Sequence, residues 1–209
     1  MLGSVRAHPG QRLGAACGRR ARLAIAVALA CAAGVTASVA LGATSKAVEI
    51  DDPKEDVTGV LDLQRAALNL APEGRLRAVI TVARRLDPRE LLAGTGPPGS
   101  LCVKVWTDED ADPATTRADR LVCVTARSSD ELRASVLSQT APGLPVRVTS
   151  APVSVTRTGR SVVVRISQSS LGRPRLIRFA FESTRPGCER VSCVDEAPDK
   201  GAVRRFRVR

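Results

Sequence analysis

The chain has 209 residues, a net charge of +11 and 44% apolar residues, which excludes wholesale disorder and is enough to build one domain with a proper core. The charge does not by itself mark a polyanion binder, because it rests on 28 arginines against 4 lysines, a skew typical of genome composition. Five of those arginines precede Leu23, and without them the balance is 27 basic to 21 acidic residues, or +6.

Residues 23–42, "LAIAVALACAAGVTASVALG", carry no charge and follow an Arg-rich flank. A positive flank, an apolar stretch and small residues at its end make a secretory signal peptide, with exit points near Ala40 or Ala43. The alternative is an uncleaved transmembrane anchor, since about twenty residues can span a bilayer. Either way the positive flank stays inside and the rest is exported, to the extracellular space or the outer face of the cytoplasmic membrane. Membrane contact is expected only through residues 23–42, if they are retained. Arg19-Arg20 and Cys31 fit twin-arginine and lipidation signals poorly in their local context.

Residues 44–58 form a polar, acidic lead-in, and residues 59–209 are expected to make a single domain. "VLDLQRAALNL" alternates with period two, but its phase slips after Leu63, which predicts a bulge near Gln64-Arg65. "RLRAVITVA" turns Leu76, Ala78, Ile80 and Val82 inward. A short helix is expected over 87–94, with Asp87 as cap, Pro88 in the first turn and Gly94 as stop. "TGPPGS" leads into two strands, "LCVKVW" and "RLVCVT"; it lacks the Lys-Ser/Thr and helix of a phosphate loop. "SDELRASVLSQ" reads as a strand, "PVRVTSAPVSVTR", "SVVVRIS", "RLIRFAFES" and "VRRFRVR" all alternate, and "QSSLGRP" reads as a tight or single helical turn. Nine or ten strands with frequent turns predict an all-β fold, an antiparallel β-sandwich of jelly-roll or immunoglobulin-like type, with a closed barrel as runner-up.

The exported part keeps four cysteines, and an even count in an oxidising compartment reads as disulfides. Cys102 and Cys123 lie equidistant from the middle of the loop between their strands, so they should face each other across a ladder. Cys188 and Cys193 would close the short loop "CERVSC".

In "WTDEDADPATTRADRLV", Asp108, Asp110 and Asp112 have the i, i+2, i+4 spacing of a calcium loop, with Asp119 at its twelfth position. Pro113 replaces the usual glycine and the flanks are strands, so this is no EF-hand; it is either a hairpin calcium loop or a solvated turn. Asp51, Asp52, Glu55, Asp56 and Asp62 could hold a second ion. Asp195, Glu196 and Asp199 read as a turn. Trp106, beside the acidic loop, reads as a core or hairpin residue, or else as an exposed sugar platform. The only histidine is His8, ahead of the domain, which removes Ser–His and Cys–His nucleophile pairs. Nucleic acid is a poor partner, because stacking aromatics are limited to Trp106, Phe179, Phe181 and Phe206.

The ordered set "DDPKEDVTGVLDL", "GPPGSLCVKVWTD", "RLVCV" and "RPGCERVSCVDEAPDKG" resembles a group of exported bacterial β-sandwich proteins with an acidic motif before the first strand and cysteines near the end. The resemblance covers roughly residues 50–209; it implies fold and compartment, and no activity. The reading is therefore an exported, disulfide-stabilised, non-catalytic binding or structural module of the cell envelope or extracellular space. Two alternatives are a hydrolase of an envelope polymer working through paired carboxylates, and a polyanion binder whose arginines converge on one face.

Overall fold

Alternation of apolar and polar residues is realised as twelve strands among the described residues. The computed structural model describes residues 47–52, 59–108, 110, 112–139, 143–187, 193–199 and 201–208. The strands are β1 (Val48–Asp51), β2 (Leu63–Leu70), β3 (Leu76–Val82), β4 (Ser100–Trp106), β5 (Arg120–Ala126) and β6 (Leu132–Ser138). They continue with β7 (Val146–Ala151), β8 (Val153–Val155), β9 (Ser161–Ile166), β10 (Leu176–Thr184), β11 (Val194–Ala197) and β12 (Arg204–Arg207). All pairings are antiparallel.

Two sheets form a β-sandwich. The smaller has the order β1-β2-β3-β9-β8, and the larger β11-β10-β4-β5-β6-β7 with β12 also on β10. β12 pairs with Leu176–Phe179 and β11 with Phe181–Thr184, so the two short strands share one long neighbour. The chain changes sheet three times, between β3 and β4, between β7 and β8, and between β9 and β10. β3 neighbours β9 in one sheet while β4 neighbours β10 in the other, so two of these crossings run side by side. The β7–β8 crossing takes a single residue, Pro152, whose carbonyl accepts from Arg165 N at 3.0 Å.

One continuous core lies between the inner faces. Leu63, Leu68, Leu76, Ile80, Val162, Val164 and Ile166 of the small sheet meet Leu101, Val103, Val122, Val124, Val136, Ile177, Phe179 and Phe181 of the large one. Phe179 and Phe181, two residues apart on one face of β10, pack edge to face with centroids 5.7 Å apart. The expected phase slip in β2 is present: the β2–β3 register shifts between Leu63 and Arg65, which keeps both Leu63 and Ala66 buried. Cys102 stands directly opposite Cys123, and the two are disulfide-bonded with Cα atoms 4.1 Å apart.

The structure corrects several expectations. The segment 87–94 forms no α-helix, only a 3-10 turn at Pro88–Leu91. Asp87 does cap it, accepting from Arg89 N at 3.0 Å, but Leu92 is already extended, and Leu91 is drawn into the core with its carbonyl taken by Gly99 N. The run 145–157 is two strands in different sheets, because the bend at Pro152 sends β8 across the sandwich. The polar lead-in holds β1, whose Asp51 faces Arg65 of β2 and pairs with it at 2.6 Å. Residues 194–197, read as a turn, are β11. The second turn is as expected, a 3-10 turn at Gln168–Leu171 closed by Gly172 at φ 84°.

The glycines and prolines of "GTGPPG" serve packing. Gly187 N donates to Pro97 O at 2.8 Å, and a Cβ on Gly99 would lie 2.8 Å from Pro186 Cδ. The described residues all fall in one compact unit. The signal or anchor expected in residues 1–43 lies outside them; among the described residues no helix is long and apolar enough to cross a membrane.

Candidate functional site

The acidic loop folds back over the outer face of β4 and β10. Trp106, only 5% exposed, packs with Ala118 and Ala180 and donates its indole N–H to Thr116 O at 2.9 Å. It is a packing residue here, which removes the sugar platform. The four expected ligands are placed separately along the loop. Asp119 Oδ2 accepts from Thr107 N at 2.7 Å and Thr107 Oγ1 at 2.9 Å. Asp112 accepts from Ala114 N and Thr115 Oγ1, and Asp108 Oδ1 from Asp110 N. These are Asx-type bonds that shape turns. Asp108, Asp110 and Asp112 are exposed. Among the described residues, no three His, Cys, Asp or Glu side chains are gathered into a group able to hold a metal. Glu55 and Asp56 of the second acidic group lie outside the described residues, and Asp51 is exposed on β1.

The sequence points to Asp52 and Asp62 as candidate ligands and to Asp195 as a turn residue, but not to their burial. Asp52, Asp62 and Asp195 are buried, as is Ser183. Asp195 of β11 accepts from Leu63 N at 2.6 Å, and Ser183 Oγ of β10 donates to Leu61 O at 2.6 Å. Asp52 N donates to Gln64 O at 3.1 Å, and Ala83 N to Asp62 O at 2.8 Å. The bulge in β2 frees backbone groups of residues 61–64 from the ladder; side chains of the opposite sheet satisfy Leu61 O and Leu63 N, and the backbone N–H groups of Ala83 and Asp52 take Asp62 O and Gln64 O. This is a structural clasp between the sheets. Cys193, next to β11, is disulfide-bonded; Cys188, its expected partner, lies outside the described residues.

Two concavities lie at the β7 edge of the large sheet. One, of about 360 Å³, is lined by Arg75, Arg165, the hydroxyls of Thr149, Ser150, Ser167, Ser169 and Ser170, and the apolar Val136 and Val148. The other, of about 420 Å³, is lined by Arg127, Arg133 and Arg147 with Leu132 and Val153. The two adjoin, sharing Ser150 and Ala151. Among the described residues neither has a carboxylate in its lining. Arg165 also faces Arg77 directly across the β3–β9 ladder, a like-charge pair. Arg127 has a partner, Glu131 Oε1 at 3.2 Å, and Arg147 a hydrogen bond to Ser150 Oγ.

Arginines elsewhere are dispersed: Arg65 stands on β2, and Arg178 faces Arg205 between β10 and β12. The charge is thus not confined to one face, which counts against the polyanion binder that converging arginines would make; what remains is the local group of arginines beside β7. A sequence signal for this site existed. No Asp or Glu occurs between Glu131 and Glu182, while eight arginines do. They are spaced singly along strands, so a search for contiguous basic runs passes over them. Compared with known proteins, the chain matches no family model and no curated protein.

Proposed function

We propose that the chain is an exported, non-catalytic binding module of the cell envelope or extracellular space, and that it takes an anionic ligand at the adjoining arginine- and hydroxyl-lined clefts beside β7. The observation that carries this reading is the clefts themselves: five arginines and several hydroxyls around two connected concavities with no carboxylate among their described lining. Guanidinium forks and hydroxyls recognise carboxylate, sulfate or phosphate oxygens, whereas nothing in this lining offers an acid or base pair for hydrolysis. The Cys102–Cys123 bridge supports export, since such bonds persist in oxidising compartments. The resemblance to exported bacterial sandwiches points the same way.

Within the β-sandwich class, the immunoglobulin-like type is preferred to the jelly roll. Its support is the strand order: the two crossings β3–β4 and β9–β10 run side by side, with β2, β3, β9, β8 corresponding to one sheet of that fold and β11, β10, β4, β5, β6 to the other. In this correspondence the disulfide links neighbouring strands of one sheet rather than bridging the two sheets.

The test is binding of the full chain to immobilised dextran sulfate and to neutral dextran. The expected result is retention on the sulfated polymer only, weakened about ten-fold in Arg75→Ala/Arg165→Ala. Equal retention on both polymers, or retention indifferent to these arginines, would overturn the reading.

A further inference from the structure

The clefts flank a strand that is unusually open. Among the described residues β7 has a hydrogen-bonded neighbour on one side only, so its other edge offers a row of backbone N–H and C=O groups. Five of its six residues are exposed, on both faces. Large apolar side chains concentrate at this place: Leu144 is 89% exposed, Val146 64% and Val148 51%, with Val155 of β8 beyond the Pro152 bend. Natural sandwiches blunt such edges with charge or bulges; here the strand carries one charge, Arg147, and one register shift, at Val148, which leaves Val146 and Thr149–Ala151 as regular edge on either side. The neighbouring charges, Arg133 and Arg165, have the same sign.

These features fit one kind of occupant. We propose that β7 is a strand-addition site for an extended peptide that alternates acidic and apolar residues. Backbone groups of the peptide would continue the large sheet beyond β7. Its apolar side chains would cover Val146 and Val148, and its carboxylates, on the opposite face, would reach Arg147 and Arg133. Strand addition of this type takes affinity from the main chain and selectivity from alternate side chains. A second copy of the chain is a poorer occupant: pairing β7 with β7 brings two Arg147-bearing strands together, and the segment 132–181 supplies no acid to balance them. A sulfated or phosphorylated polymer would use the arginines but leave the backbone edge and the valines unsatisfied.

This inference rests on the anion-cleft reading and is tested apart from it. A fluorescein-labelled peptide alternating glutamate and valine is titrated with the full chain by anisotropy. It is compared with a peptide of equal charge whose valines are replaced by proline, which cannot add a strand. The expected result is binding of the first peptide at least about ten-fold tighter than the second, about ten-fold loss in Arg133→Glu/Arg147→Glu, and slowed amide exchange confined to residues 146–151 on binding. Equal affinity for the two peptides, with dextran sulfate still bound through the arginines, would overturn strand addition and leave the anion site standing. Indifference of every probe to the arginine variants would overturn both. Concentration-dependent dimerisation with protection of 146–151 in the absence of peptide would assign the edge to a second copy and overturn the proposal.

Discussion

At the residue scale, one buried and one part-buried polar contact should dominate over the two exposed ion pairs of the described residues, Arg65–Asp51 and Arg127–Glu131. Asp195 supplies the acceptor for the buried Leu63 N–H that the β2 bulge leaves outside the ladder. Asp195→Ala would strand that donor and should cost about 2–3 kcal/mol, read from urea unfolding, with Asp195→Asn costing less because it keeps an acceptor oxygen. A loss below about 0.5 kcal/mol in the alanine variant would mean the clasp does not hold the sheets together. Lys104 is the second case. Glu182 and Glu196 face each other directly across β10 and β11, and Lys104 Nζ lies between them, 3.3 Å from Glu182 Oε2 and hydrogen-bonded to Glu196. Burial works to lower the lysine pKa, but the hydrogen bond to Glu196 and the charge of Glu182 outweigh it and hold the ammonium above its ordinary value. A pKa raised in the folded state gives a stabilisation that is complete below the unfolded value of about 10.4 and fades as pH rises through the folded one. Lys104→Met should therefore cost about 1–2 kcal/mol at neutral pH, and the gap to wild type should narrow above about pH 10.5. Urea melts at pH 7.5 and pH 11 check this; a gap that is the same at both would show that the loss is one of packing. Adding Glu182→Gln to Lys104→Met should restore part of the stability, by removing the repulsion between the facing carboxylates.

At the element scale, the loop between β4 and β5 is where the sequence invites the most chemistry and the structure supplies the most ordinary explanation. Its carboxylates already accept hydrogen bonds from Thr107, Asp110, Ala114 and Thr115, and its far end is pinned by Trp106 donating to Thr116 O. A calcium ion would have to draw Asp108, Asp110, Asp112 and Asp119 out of separate turns. Melting of the full chain is thus expected to be the same, within about 1 °C, in calcium and in chelator. A ligand that binds only the folded state at about 100 times its dissociation constant adds about 2.7 kcal/mol, which would raise the midpoint by several degrees. Such a rise, abolished by Asp110→Ala, would establish the loop as an ion site. Elements were legible where one face is buried and alternation is strict, as in β3, β9 and β10. They were not legible where context decides. β11 is short and acidic, and only its pairing with β10 makes Asp195 a buried acceptor. The 3-10 turn at Pro88–Leu91 carries helix signals at its start, but the core claims Leu91 before a second turn can form.

At the scale of the whole molecule, the sandwich was legible because turn spacing and strand period are local properties. The strand order was not, because it depends on which strands cross between sheets, and the Pro152 crossing looks in sequence like one continuous strand. The candidate site shares that limitation: Arg75, Arg127, Arg133, Arg147 and Arg165 sit on outward or terminal positions of five different segments, and only the folded edge beside β7 brings them together. The Cys102–Cys123 pairing was legible for the opposite reason, since a hairpin's register is fixed by equal distances from its turn. Its effect belongs to the entire chain rather than to the hairpin. The bond closes a loop with a sequence separation of 21, and in the chain-entropy picture such a closure removes conformations mainly from the unfolded ensemble, for about 3 kcal/mol of stability. Since the two cysteines are already held face to face by the β4–β5 ladder, the native fold needs the bond little for its geometry. Cys102→Ser/Cys123→Ser should therefore keep the native far-ultraviolet spectrum and its binding to dextran sulfate, while unfolding about 3 kcal/mol more easily in urea. A double variant that lost binding as well as stability would show that the bridge shapes the folded edge beside β7 across the intervening strand β6, and not only the ensemble from which the fold is reached.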